Sequence, residues 1–171
     1  MKRGWFVLLL VVGLVAPVVS HAQVSAYGEF TASKLLNGPQ GDFLYGVTTG
    51  VLIDGPRVKR MVISADIQGR FVGKNGERLD GVTVGPRFAF EMKRMKLSPF
   101  AEFMVGFARY NDSHGLSSTD NTWQANGGAT KQLSPRWDAV LDYSYAQYGV
   151  NNGEYNPKTI SIGAVYHFVK R

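Results

Sequence analysis

The chain of 171 residues contains no cysteine. No disulfide framework can staple it, and no thiol is present to carry a lipid anchor. Beyond its first two dozen positions it has no apolar run near the ~18 residues that a membrane-spanning helix needs. No stretch sustains a helical period. Charge of one sign is not concentrated either. The 19 Lys and Arg residues stand against 13 Asp and Glu, and the basic residues are scattered near turns, so a nucleic-acid partner is not expected. The G-x-S-x-G elbow, the phosphate-loop spacing and the EF-hand spacing are all missing. No cofactor and no metal are expected.

The N-terminus is unlike the rest. Met1-Lys2-Arg3 is a basic start, and Trp5 to Val15 is apolar apart from Gly13. Pro17 breaks a helix there, and Ser20-His21-Ala22 has the small residues of a cleavage site. Residues 1–22 therefore read as a secretory signal peptide cut after Ala22, and 23–171 as one exported domain. Without a spanning helix, that domain can cross a membrane only as a closed barrel, because lipid cannot satisfy open strand edges.

Glycine (20), Phe (10) and Tyr (8) are plentiful, as in a turn-rich β-protein. Period-two alternation marks eight strands: Val24–Lys34, Tyr45–Ile53, Met61–Phe71, Gly81–Glu91, Ser98–Tyr110, Thr122–Gln132, Trp137–Gly149 and Lys158–Phe168. Each has about the length that a tilted strand needs to span a bilayer. The connections alternate. Asn37–Leu44, Val72–Asp80, Asn111–Asn121 and Val150–Pro157 read as long loops. Asp54–Arg57, Met92–Lys96 and Leu133–Arg136 read as short turns. An up-and-down meander with unequal ends is the layout of an outer-membrane barrel, with short turns on the periplasmic side. Pro86 interrupts an otherwise good strand, which either starts after it or is bulged there.

Each strand has one apolar face and one mixed face. Phe103, Val105 and Phe107 oppose Glu102, Met104 and Ala108; Leu141, Tyr143 and Tyr145 oppose Asp142 and Ser144. A soluble carrier of the lipocalin kind would bury the apolar face, and a membrane barrel inverts it. The ring-rich apolar face and the loop asymmetry favour inversion. Inverted, the strands direct Glu29, Asp66, Arg70, Arg87, Glu102 and Asp142 into a lumen only wide enough for side chains, where charges must pair. His167 falls on the same face. A structural plug is expected rather than an ion path.

In the last strand Ser161, Gly163, Val165 and His167 alternate with Ile162, Ala164, Tyr166 and Phe168. The order polar, Gly, aromatic, aromatic at Ser161, Gly163, Tyr166 and Phe168 resembles the C-terminal insertion signal of bacterial outer-membrane barrels. Gly85-Pro86-Arg87-Phe88, Ser98-Pro99-Phe100-Ala101-Glu102, Val105-Gly106-Phe107-Ala108-Arg109 and the run from Gly127 through Leu133-Ser134-Pro135-Arg136-Trp137 resemble the OmpA/OmpX-like outer-membrane β-barrel domain family. The resemblance implies an all-β, eight-stranded antiparallel up-and-down transmembrane barrel in the outer membrane of a Gram-negative-type envelope. Its expected partners are outer-membrane lipid, lipopolysaccharide and the outer-membrane assembly machinery, and it is expected to be a monomer with no peptidoglycan-binding second domain.

An enzyme is the alternative, since some small outer-membrane barrels modify lipid A. Asp112, His114 and Ser117 share one loop, and a His beside a Ser can activate it as a nucleophile. The lipid A deacylase family sets its His and Ser two apart within a strand; here they are three apart. No catalytic set is therefore expected, and the role read from the sequence is architectural or surface-directed.

Overall fold

The protein is described by a computed structural model covering residues 23–35, 43–111, 117–150 and 153–169. Its elements are β1 (Val24–Leu35), β2 (Phe43–Val58), β3 (Met61–Lys74), β4 (Glu77–Phe90), β5 (Leu97–Asn111), β6 (Ser117–Gln132), β7 (Trp137–Val150), β8 (Gly153–Tyr155) and β9 (Pro157–His167). All pairings are antiparallel between chain neighbours, and β1 closes the sheet on β9. β8 and β9 lie on β7 in one register, from Tyr148↔Tyr155 to Tyr145↔Lys158. They are one barrel strand interrupted at Asn156, where Pro157 offers no N–H to the ladder. The result is an eight-stranded closed barrel.

Closure carries a stagger. Following ladder partners from Ala101 through Gly127, Tyr143, Ile160, Ala32, Tyr45, Gly73 and Arg78 returns to β5 at Asn111 rather than Ala101. The strands are therefore tilted to the barrel axis. Tilt lengthens the path of each strand across a layer of fixed thickness, which is what long strands in a small barrel require.

Several connections differ from the sequence reading. Val72–Asp80 is not a long loop. β3 and β4 run on to a two-residue turn at Asn75-Gly76, with φ of 52° and 88°. Asn-Gly is the pair that a twisted hairpin favours, because both centres need positive φ. Asp54–Arg57 is not the turn either. β2 continues through it with a register shift between Asp54 and Arg57, and the chain reverses at Lys59-Arg60. Pro56 sits in that bulge, where a missing donor costs least. Pro86 neither ends nor bulges its strand. It faces Ala65 in the β3 ladder, and the β5 register is the same on either side of it. Residues 36–42, 112–116 and 151–152 lie outside the described residues, as does the cleavage site at Ala22.

Candidate functional site

The two faces of the wall separate as a membrane barrel requires. Val82, Val84, Phe103, Val105, Phe107, Leu141, Tyr143 and Ile162 are exposed on the outside. Glu29, Asp66, Arg70, Arg87, Glu102 and Asp142 all lie buried on the inside, together with His167. The lumen thus gathers the six charges that the alternation directed inward. Four are carboxyls and two are guanidiniums.

Some of their partners are cross-strand neighbours in the ladder, and others come from strands across the lumen. Arg87 Nη1 lies 3.2 Å from Glu102 Oε1, and the Arg87 guanidinium sits 3.6 Å from the centre of the Phe100 ring. Asn126 Nδ2 donates to Glu102 Oε2 at 2.8 Å. The Tyr27 hydroxyl donates to Asp66 at 3.0 Å and receives Gln68 Nε2 at 3.1 Å. Arg70 reaches hydroxyls and an amide instead of a carboxylate: Ser144 at 3.0 Å, Thr48 at 3.4 Å, and Gln68 and Thr159 at 3.5 Å. Gln124 links Gln68 Oε1 at 2.6 Å to the Met104 sulfur at 3.1 Å. The sequence reading named the charges as the lumen set, with Met104 only as a residue of the same face, and did not single out Tyr27, Gln124 or Asn126. Their inward parity was readable; the contacts of Gln68 with Tyr27 and Gln124 were not, because they join strands that are not neighbours in the sheet.

Two apolar layers sandwich this polar slab. Toward the Asn75-Gly76 end, Leu44, Val72, Leu79, Ala108 and Ala146 pack together with Tyr110. Toward the short-turn end, Tyr27, Leu52, Phe100, Val140 and Val165 pack with Ala89. Polar atoms in the slab are thereby removed from water on both sides, so partners within the protein matter most there. Among the described residues, Glu29 Oε2, Asn126 Oδ1 and Asp142 Oδ1 are buried slab oxygens that accept no hydrogen bond from the protein.

Below the second layer, His167 bridges three strands. Its Nδ1 lies 2.7 Å from Ser25 Oγ, and its Nε2 lies 3.0 Å from Asp138 Oδ2. Beside it, Ser64 Oγ donates to Asp54 at 2.9 Å. An acid, an imidazole and a hydroxyl in series have the composition of a nucleophile relay. The setting opposes that use. Ser25 is 1% exposed, and it lies in a strand paired on both sides by β2 and β9. A reacting carbonyl has no access to it, and the paired backbone leaves no adjacent N–H donors free to form an oxyanion site. What the relay does is tie β1, β9 and β7 together where the barrel closes.

Among the candidate catalytic residues, Asp112 and His114 lie outside the described residues. Ser117 is exposed at the start of β6, and its Oγ accepts from Arg109 Nε at 3.0 Å. Among the described residues, no three His, Asp or Glu side chains gather as a metal site. The C-terminal motif divides between the faces. Ser161 is buried and accepts from Thr31 at 3.2 Å. A Cβ at Gly163 would meet the Gly28 carbonyl at 2.1 Å and Glu29 Cα at 2.6 Å, so that glycine makes room for the β1 backbone at Gly28-Glu29. Outside, the Tyr166 ring lies tilted against Trp137, with centroids 4.9 Å apart, and meets Phe168 edge to face at 5.4 Å.

The family model described as the outer membrane protein beta-barrel domain matches residues 6–168. The chain belongs to that family. As an outer-membrane barrel it lies in the bacterial outer membrane, and the soluble carrier is set aside. Solved structures give the same fold. Neisserial surface protein A aligns with a TM-score of 0.60 at 16% identity, covering 86% of this chain and 97% of that one. Ail, the attachment invasion locus protein of Yersinia pestis, aligns at 0.54 and 13% identity, with coverages of 86% and 97%. The outer-membrane enzyme PagL aligns at 0.52 and 13%, with coverages of 85% and 98%. Identities this low carry the fold and nothing further. No curated protein sequence matches the chain.

Membership orients the barrel, with the end that carries the Lys59-Arg60, Met92–Lys96 and Leu133–Arg136 turns in the periplasm and the Asn75-Gly76 turn outside. The outer-membrane barrel then has two unlike rims. At the periplasmic rim Arg57, Lys59, Arg60, Lys93, Arg94, Lys96, Lys131 and Arg136 are exposed. Among the described residues there, Asp54 and Asp138 are buried in the lumen, and Glu91 is engaged by Arg57 at 3.5 Å. At the outer rim the signs are mixed. Lys74 faces Glu77 across the hairpin, and Arg78 Nε lies 2.7 Å from Asp80.

Proposed function

We propose that this outer-membrane barrel is a closed, non-enzymatic wall element, in which the lumen is a structural plug and interaction with the surroundings falls to the outer loops and the rims. The observation that carries this reading is the layering of the lumen. A polar slab holding the Arg87–Glu102 pair lies between two packed apolar layers. Hydrated ions passing along the axis must cross both apolar layers and disrupt the slab's hydrogen bonds. Paired charges at this radius occupy the space that water needs.

A lipid A-modifying enzyme is the competing role. It needs a serine or histidine reachable from the lipid, and the acid–imidazole–hydroxyl series of this chain is buried at the periplasmic end of the lumen. The test has two arms. Planar-bilayer recording of the purified barrel is expected to show no steady conductance. Lipid A from cells with and without the chain is expected to have the same mass. A large, steady conductance overturns the plug, and a chain-dependent loss of an acyl group overturns the non-enzymatic role.

A further inference from the structure

The periplasmic rim joins exposed cations to exposed apolar tips. Val58 precedes Lys59 and Arg60, and it is itself exposed. Met95, 62% exposed, sits between Arg94 and Lys96. Leu133, 66% exposed, heads the next turn after Lys131. Trp137 and Tyr166 touch at the same level on the outer wall, and Arg136 Nη1 donates to the Tyr166 hydroxyl at 3.3 Å.

A soluble anionic polymer would be served by the cations alone, since apolar tips add nothing in water. A bilayer surface uses both. Apolar side chains enter the acyl boundary while neighbouring Lys and Arg meet headgroup phosphates, and aromatic rings mark the interface. Net charge then decides which headgroups are favoured. Among the described residues of this rim, Glu91 is the one acid outside the lumen, and Arg57 engages it. Among the described residues of the outer rim the signs are mixed, as in the Arg78–Asp80 pair and Lys74 opposite Glu77. We propose that the periplasmic rim is a lipid-selecting surface, which recruits anionic phospholipids of the inner leaflet through the cations of its turns and holds them against the apolar tips.

Trp137 is placed to report on this. In barrels purified from outer membranes and carrying Trp123→Phe, its fluorescence reads which lipids lie beside the rim. Brominated phosphatidylglycerol and brominated phosphatidylcholine are each titrated into phosphatidylcholine bilayers. At low salt the anionic lipid is expected to be preferred by at least about fivefold, the effect of about one cation at a charged surface. About 1 M salt should bring the ratio toward unity, because screening there is complete within a few ångströms. Lys93→Gln, Arg94→Gln and Lys96→Gln together should do the same, with the unboiled gel mobility of the folded barrel unchanged. Met95→Gln with Leu133→Gln should also lower the ratio.

Equal quenching by the two lipids at low salt overturns the proposal. So does a preference that survives the triple exchange in folded protein. If the apolar-tip variant keeps its full preference and inorganic polyphosphate binds the barrel equally well in zwitterionic bilayers, the partner is a soluble polyanion and the lipid assignment falls.

Discussion

The lipid-facing wall and the lumen slab are built from alternate residues of the same strands, yet they follow opposite rules. Along β5, Phe103, Val105 and Phe107 face outward, and Glu102, Met104 and Ala108 face inward. Outside, what matters is the absence of polar groups, and many apolar side chains serve equally well. Inside, what matters is that each donor meets a particular acceptor: Asn126 meets Glu102, Tyr27 meets Asp66, and Arg70 meets Ser144. A wall position is therefore defined by a property and a lumen position by a partner. The two regions should respond differently to substitution.

The largest effect is expected in the slab. Glu102→Leu strands Arg87 and the Asn126 amide, both buried. Removing one partner of a buried, paired charge costs about 3–5 kcal/mol. Urea titration of barrels folded in vesicles checks it. Adding Arg87→Leu should recover much of the loss, because the remaining charge goes with it. If the double variant is as damaged as the single one, the pair is not the source of the cost. On the wall, Leu141→Arg should cost about 2–4 kcal/mol if it lies near the bilayer midplane. No second substitution inside the barrel should rescue it, since the loss comes from lipid and not from a partner. Rescue from the lumen would break the contrast between the two regions.

The alternation that assigns a residue to wall or lumen is local, and it was legible. Strand existence and the grouping of the six charges on one face follow from a period of two; which face lies inside does not, and was argued from the ring-rich apolar face and the C-terminal motif. The partners were not legible. Gln124 meets Gln68 only because β6 and β3, which are not neighbours in the sheet, curve round to face one another. The link from Ser25 to His167 joins the two ends of the sheet and depends on barrel closure. The turn chemistry was misjudged where polar residues were taken as loop. Gly73-Lys74-Asn75-Gly76 is strand and a tight turn, because Asn-Gly supplies the positive φ that a two-residue hairpin needs.

Smaller effects sharpen the comparison further. His167→Ala removes the bridge between Ser25 and Asp138 and should cost about 1–3 kcal/mol, the range for leaving buried polar groups without partners. The loss should be read in the same titration, with an unchanged far-ultraviolet spectrum. Gly76→Ala forces a side chain to a φ of 88°, and it should cost about 1–2 kcal/mol. It lies beyond both regions, so it should leave the Glu102 and Leu141 penalties unaltered when combined with either.

The most direct test of a plugged lumen uses the absence of cysteine. Ser144→Cys and Thr83→Cys each place a single thiol on a buried inward position, and Ser117→Cys places one on an exposed position of β6. Each folded barrel is treated with a small, charged, water-soluble thiol reagent, and again after boiling in detergent. The account expects the Ser117→Cys barrel to be labelled in both states, and the two lumen variants only after boiling. Labelling of the folded Ser144→Cys and Thr83→Cys barrels as fast as the Ser117→Cys control would mean an open, water-filled lumen and would contradict the plug.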